Sequence, residues 1–246
     1  MCKVGGRAVT EDVCKADERI TRIHRPRSLT SIVTDQIRDL IITGRLALGE
    51  ALSEGMLSEQ LGVSRAPVRA AFALLQSERL LEVLPQRGTF VFRYDDIELR
   101  EICELRDVLE AGALRIAMAR RRAALIAALR DQVTAADAAR PDSSAKYQPF
   151  DAAYHDALVR AADNSELVEA YTKISGRIRA IRFRLTQTMA QVARSQAHHW
   201  QIVTHLEAGE DDAAKALLSH HMYNSYRLFT QAAPAQSGDP ATARAS

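Results

Sequence analysis

Four residues in the second half of the chain have the types and spacing of a metal centre. Asp151 and His155 are four apart in FDAAYHDALVRAADN, which puts a carboxylate and an imidazole on one helix face. His199 in HHWQI and His221 in LSHHM follow on either side of Gly209-Glu210-Asp211-Asp212, which reads as the end of one helix and the start of the next. The two histidines are equally far from position 210, so in an antiparallel hairpin over residues 190–229 they face each other. His198 and His220 stand about 100° off that inward face and His205 about 120° from His199. His24 lies near the start of the chain, so the set is Asp151, His155, His199 and His221. Three imidazoles and one carboxylate, without cysteine, suit a divalent transition ion such as zinc, nickel, manganese or iron rather than a structural zinc knot. If such an ion is six-coordinate, four protein ligands leave two positions for water or for the carboxylate and hydroxyl of a small acid. The competing reading is four ordinary helix residues, and the joint spacing favours a shared site.

A second constellation is LSEQLGVSRAPVRAAFALL, residues 57–75. Gly62 permits a tight turn, Val63 plugs a small core, and Ser64 can cap a following helix and offer its hydroxyl or N–H to a phosphate. Arg65 and Arg69, one turn apart, project from the face opposite Val68, Ala71 and Phe72, while Pro67 sits in the first turn, where no backbone donor is lost. Arginine can bond guanine O6 and N7 in parallel or clamp phosphate oxygens, so the pair suits the major groove of DNA. Two arginines alone would read as a solvated face; cap, turn, core pattern and a following hairpin make the difference. Arg106, amid the apolar positions Ile102, Leu105, Leu109, Ala113 and Ile116, needs a partner. That partner is either a structural carboxylate or the carboxylate of an acid bound at the metal.

The elements that must carry these residues can be read from periodicity. Residues 1–27 lack a sustained pattern and read as a flexible arm ending in the basic run at Arg25 and Arg27. Leu29, Ile32, Val33, Ile37, Leu40 and Ile41 form a helical stripe stopped by Gly44. A helix beginning after Ser53 and broken at Gly62 precedes the arginine helix. The runs 80–83 and 89–92, joined across Pro85 and Gly88, form a β-hairpin wing. Residues 28–94 are thus expected to be a winged helix-turn-helix and 97–230 an all-α antiparallel bundle, so the fold class is mainly α. Residues 232–246, rich in Ala, Pro, Gly and Ser, read as a disordered tail.

The net charge of +2 excludes a broadly polycationic protein, so a nucleic-acid surface must be local. At 246 residues and 47% apolar content the chain can bury a real core. The first twenty residues carry no apolar run and no apolar window of about eighteen residues occurs, so a cytoplasmic protein without a membrane span is expected. Cys2, Cys14 and Cys103 are odd in number and lack C-x-x-C spacing, which fits reduced thiols.

Residues 57–69, LSEQLGVSRAPVR, and the wing Gln86-Arg87-Gly88-Thr89-Phe90-Val91 resemble the GntR family of bacterial transcription regulators over residues 28–92. The resemblance implies operator contacts from Ser64, Arg65, Ala66 and Arg69, with Arg87 and Gly88 near the minor groove. The chain departs from the usual pattern at Gly55, where a phosphate-binding arginine is common, at Ala70, where glutamate is common, and at Arg79, where glycine is frequent. Losing one phosphate contact should weaken binding without changing sequence preference, and the basic arm would offer a replacement. Glu104-Leu105-Arg106, Asp151-x-x-Tyr154-His155, His199-x-x-Ile202 and His221 resemble the FCD effector-binding domain of the FadR subfamily over residues 97–230. That implies a helical bundle holding a metal through one Asp and three His; His198 stands where an acidic residue is usual.

Together these readings give a regulator, not an enzyme: a winged head on operator DNA and a bundle that binds a divalent metal and a small carboxylate effector such as a sugar acid or hydroxy acid. A homodimer is expected, because one half-site has little genomic specificity. The resemblance suggests repression relieved by the effector. The alternatives are a metal-dependent enzyme acting on a small organic acid, for which no further general acid or base stands out, and a regulator whose metal is structural or is itself the signal. Arg106 is the candidate for the effector's carboxylate.

Overall fold

A computed structural model of the chain describes residues 27–186 and 188–232, with side chains described up to Tyr223. The expected arm, apart from Arg27, and the expected tail beyond Ala232 lie outside the described residues, as do Cys2 and Cys14.

The head begins with α1 (Leu29–Ile42), started by Ser28, whose side chain accepts from the Ser31 N–H. Val33, Ile37 and Ile41, four apart, are fully buried. Leu29 and Ile32, expected on the same stripe, are instead 50% and 45% exposed, because the inward row begins at Val33 and both lie beyond its edge. Arg27, expected to be free for DNA, pairs with Asp35 of α1. Ser53 caps α2 (Glu54–Leu61), and Gly62, at φ 65°, ends it in the left-handed conformation expected of a terminator. Then comes α3 (Arg65–Ser77), with Pro67, Val68, Ala71, Phe72 and Leu75 buried. Ser64 stands at its N-cap position, but its side chain makes no capping hydrogen bond.

The wing consists of β2 (Leu81–Leu84) and β3 (Gly88–Val91), antiparallel with Leu84 opposite Gly88. A strand that periodicity could not announce, β1 (Ala51–Leu52), adds to β3 and gives the order β1-β3-β2. Two residues are too few to carry a period; the pairing Ala51 with Phe90 and Leu52 with Thr89 makes the strand.

The bundle is five helices. An Asp95/Glu98 capping box starts α4 (Asp96–Ala139), which kinks at Arg121 (φ −144°, ψ 41°). Neither Pro nor Gly stands there; Arg121 pairs with Asp163 at 2.8 Å and Arg122 with Asp211 at 2.7 Å, tying the kink residue and its successor to the α5–α6 connection and the start of α8. α5 (Ser144–Ala161) runs along α4, followed by α6 (Ser165–Leu185), α7 (Met189–Ala208) and α8 (Asp211–Ala232). α7 and α8 form the expected hairpin, turned by Gly209 at φ 79°. On α4 the inward row is Leu99, Ile102, Arg106, Glu110, Ala113 and Ala117, so Leu105, expected to be apolar core, is 45% exposed. Cys103 is a free thiol, pushed up to about 11 by burial and therefore inert at neutral pH. No helix among the described residues is long and apolar enough to cross a membrane.

Head and bundle meet along α6. Arg184 donates to the carbonyls of Ile41 (2.9 Å), which also accepts from the Gly44 N–H, and Leu46 (3.0 Å), so it ties α6 to the end of α1 and the loop that follows.

Candidate metal centre and nucleic-acid interface

Asp151 and His155 of α5, His199 of α7 and His221 of α8 converge, with one donor atom from each lying within 4.8 Å of all the others. All four are buried. The pattern of unmet bonding shows what the cluster is built for. His155 Nε2 and His199 Nε2 are buried with no hydrogen-bond partner, and Asp151 Oδ2, equally buried, meets only the Arg182 guanidinium. His155 Nε2 stands 3.7 Å from Asp151 Oδ2 and His199 Nε2 3.9 Å from Asp151 Oδ1. Those gaps are too long for hydrogen bonds and leave room for a cation between the donors, which would draw in by a few tenths of an ångström to bind it at about 2.0–2.2 Å. The ring centroids are 5.1 Å (His155–His199), 5.3 Å (His155–His221) and 4.8 Å (His199–His221) apart. Imidazoles bound end-on at about 2.0–2.1 Å would have centroids roughly 4.5–5.3 Å apart for ligand angles between octahedral and tetrahedral. The donor set and its spacing therefore fit a divalent transition ion.

A second layer of residues, invisible to spacing arguments, aims these groups. Glu110 of α4, fully buried, lies 2.7 Å from His155 Nδ1 and also accepts from Arg106 Nε at 2.6 Å and the Tyr171 hydroxyl at 3.2 Å. A carboxylate on Nδ1 keeps the proton there and leaves the Nε2 lone pair facing the cluster. Burial alone would raise the Glu110 carboxyl, but Arg106 and His155 hold it down to about 2. The Tyr147 hydroxyl, 3.4 Å from His199 Nδ1 and 3.2 Å from Gln196 Oε1, does the same for His199, and Ser195 donates to Asp151 Oδ1 at 2.9 Å. The Tyr154 ring stacks on His199 at 3.9 Å. His198, left out by its angle, contacts His221 through the Nδ1 atoms at 3.4 Å; His220 is exposed.

Arg106 is buried with Glu110 as its partner, yet its Nη2 has no hydrogen bond. A cavity of about 40 Å³ beside the cluster is lined not by Arg106 but by Arg182 of α6 and Arg194 of α7, with Tyr147, Gln148 and His198. The Arg182 guanidinium contacts Asp151 Oδ2 as an ion pair. Burial, and then the nearby charge of Arg106, lower Arg182 to about 9. The only hint of Arg182 in the sequence is a cation set among the apolar Ile178 and Ile181 of an otherwise amphipathic helix.

The three imidazoles resist protonation. Burial, and then the charge of His155 on His199 and of His199 on His221, push these two well below the ordinary histidine range; burial lowers His155 although Glu110 opposes it. Unfolded histidine titrates near about 6.5, so below that pH the unfolded chain takes up protons that the native chain refuses. Stability present above pH about 6.5 is thus lost as the pH falls. Chelator-treated protein is expected to melt at steadily lower temperature from about pH 6.5 to 5, and a flat profile in differential scanning fluorimetry would contradict a buried neutral cluster.

In the head, Ser64, Arg65, Ala66 and Arg69 at the start of α3 and Arg87 and Gly88 of the wing are all exposed. Arg69 pairs with Glu54 of α2 at 3.0 Å. Arg65 makes no ion pair among the described residues; its guanidinium lies over Gly55, where a Cβ would approach it to 3.4 Å. The glycine at 55 thus leaves room for Arg65 where a larger residue would crowd it.

Comparison with known proteins gives two family matches: "Bacterial regulatory proteins, gntR family" over residues 29–91 and "FCD domain" over residues 101–224. The Nta operon transcriptional regulator of Aminobacter aminovorans is 33% identical over 172 residues, 70% of this chain and 81% of that protein. An HTH-type transcriptional regulator of an unstable DNA locus in Streptomyces ambofaciens is 30% identical over 188 residues, 76% of this chain and 79% of its own length. Among solved structures, E. coli McbR/YncC superposes with a TM-score of 0.72 at 22% identity, covering 84% of this chain and 99% of that one, a likeness of fold.

Proposed function

The chain belongs to the GntR family of bacterial regulatory proteins and carries an FCD domain, so it is a transcription regulator and not an enzyme, and we propose that it is one governed by a metal-bound small acid. Asp151, His155, His199 and His221 hold a divalent ion of the zinc, nickel, manganese or iron class. What carries this reading is the convergence of four buried donor groups, with His155 Nε2 and His199 Nε2 left without a hydrogen bond. Bound there, the ion supplies open coordination positions for the carboxylate and hydroxyl of a hydroxy acid or sugar acid.

Arg182 explains why a carboxylate is selected. Its charge faces Asp151; once that carboxylate serves a divalent ion, Arg182 is left with an unbalanced buried charge that an acid ligand neutralises. Arg106, with Nη2 unpartnered, reinforces the same polarity. A cavity of about 40 Å³ admits a few water-sized groups, which favours a small acid. Arg182 is two residues from Arg184, which holds the end of α1, so α6 offers a direct path from effector to head. The protein acts in the cytoplasm as a homodimer that represses until its effector arrives. The exposed Ile97 and Val108 on α4 are suited to pairing.

The deciding experiment is thermal melting of metal-loaded protein against a panel of hydroxy acids and sugar acids. An effector at about 100 times its Kd should raise the melting temperature by about 5–10 °C, with operator release in parallel, and chelation should abolish both. Equal shifts in chelated protein would remove the metal from the recognition. Release by the ion alone would make it the signal instead.

On the DNA side Ser64, Arg65, Ala66, Arg69, Arg87 and Gly88 make the operator contacts. Arg65→Ala is expected to weaken operator binding by about 1–3 kcal/mol and to relax preference at one base pair. Arg69→Ala should cost less, because Glu54 already competes for its charge. Fluorescence anisotropy with single-base operator variants, once the operator is mapped, would show a uniform loss if Arg65 touches only phosphate.

A further inference from the structure

A cleft of about 410 Å³ lies where the head meets the bundle, away from the metal centre. Ser77 and Arg79 wall it from the head, Leu105 from α4, and residues of α6 from Glu166 to Arg177 complete it. Its lining carries an excess of positive charge. Lys173 and Glu169 satisfy each other at 2.8 Å, leaving Glu166 against Arg79 and Arg177 among the lining residues. The two arginines lie close enough that Arg79, after burial, helps depress Arg177, with Glu98 and Glu82 outside the lining partly offsetting it. Neither has an ion-pair partner among the described residues, and Arg177 Nε is buried without a hydrogen bond.

The backbone positions from which the two arginines extend are fixed. Arg79 ends α3 in the left-handed conformation, φ 54°, with its N–H on the Gln76 carbonyl and the Leu80 N–H on Leu75, each at 2.9 Å. That is the helix ending in which glycine is usual, and a residue with a Cβ is strained there. Next to it, Leu80 seats on Gly176, where a Cβ would come within 3.0 Å of Leu80 Cδ1. Arg79 and Arg177 are therefore each the chain neighbour of a residue in tight contact, which fixes the separation of their backbones, while the Arg79 side chain itself is exposed.

We infer that this cleft is a second ligand site, which takes a phosphate group between Arg79 and Arg177 with a small organic body over Leu105, Ala170 and Ile174. Two guanidinium forks match a dianion better than a single carboxylate, and planar arginines bind phosphate oxygens in pairs. Because each half of the molecule contributes one arginine, occupancy fastens head to bundle.

The test is thermal melting of the full chain, with chelator and with metal, in inorganic phosphate or phenyl phosphate against sodium chloride of equal ionic strength. At about ten times Kd the native chain should gain about 3–5 °C, with or without metal. Arg79→Gly, whose glycine is at home at that φ, keeps the fold while removing one cation, and Arg177→Gln removes the other; both should lose the increment. Equal gains from the two probes identify the free ion as the ligand, and a larger gain from phenyl phosphate identifies an ester; either supports the site. No gain over chloride in the native chain, or an undiminished gain in Arg79→Gly, overturns it. Since the increment is read in chelated protein too, its failure leaves the metal-bound effector untouched.

Discussion

Glu110→Ala should lower the unfolding free energy by about 3–5 kcal/mol, the cost of leaving a buried ionic partner alone, and the melting temperature by roughly 10 °C. The residue sits at 0% exposure and serves three groups, Arg106, His155 and Tyr171. Truncation strands the Arg106 guanidinium in a dry interior, opens a cavity, and frees the His155 ring to change tautomer. Glu110→Gln separates these effects. It keeps the volume and a hydrogen-bonding oxygen, so more of the stability should survive, while the loss of the carboxylate on His155 Nδ1 should weaken metal binding by about 10–100-fold. Calorimetry of the two variants together with zinc or nickel titration against a competing chelator reads both. An alanine variant melting within about 2 °C of the native chain would show that Arg106 has another buried partner and that the network is misread.

His199→Ala is expected to weaken metal binding by at least about 100-fold, more than disturbing a residue behind a ligand, and to abolish the stabilisation by organic acids. Operator affinity in the absence of effector should stay within about threefold, because α7 packs on α8, α4 and α5 of the bundle rather than on the DNA-binding face. His220→Ala is the matched control: one residue from His221 on α8 but exposed, it should change metal affinity by less than about twofold. A His199→Ala protein that still responds to an acid would place the ion outside signalling, and one that still binds metal at native affinity would break up the cluster.

Much of this could be read from one strand of residues because the informative features repeat locally. The four-residue step from Asp151 to His155 fixes a shared helix face, and the symmetry of His199 and His221 about a glycine turn fixes a meeting across a hairpin; the structure brings all four together. The helix, tight turn and helix of residues 54–77 were announced by Ser53, Gly62 and the apolar row of α3, which are local signals of cap, stop and inner face. Less was legible where a decision depends on what stands opposite. Leu105 looked like core and Arg106 like its exception, yet the helix turns Arg106 inward and Leu105 out, because Glu110 one turn further on is buried with the arginine. No spacing rule selects one glutamate among many.

The sequence by itself determined which helices exist, where they begin and end, and which few chemically capable side chains share their inward faces, because 3.6-residue periodicity and capping act within a turn or two of chain. Only the tertiary structure decided how α6 lies between metal cluster, cleft and head, so that Arg182, Arg184 and Arg177 each reach a different site from one helix. It also decided that Glu110 orients His155, and that two residues at 51 and 52 become a strand. Those outcomes depend on contacts between segments tens of residues apart, set by the packing of whole faces, and a packed face leaves no signature in the order of residues along either partner.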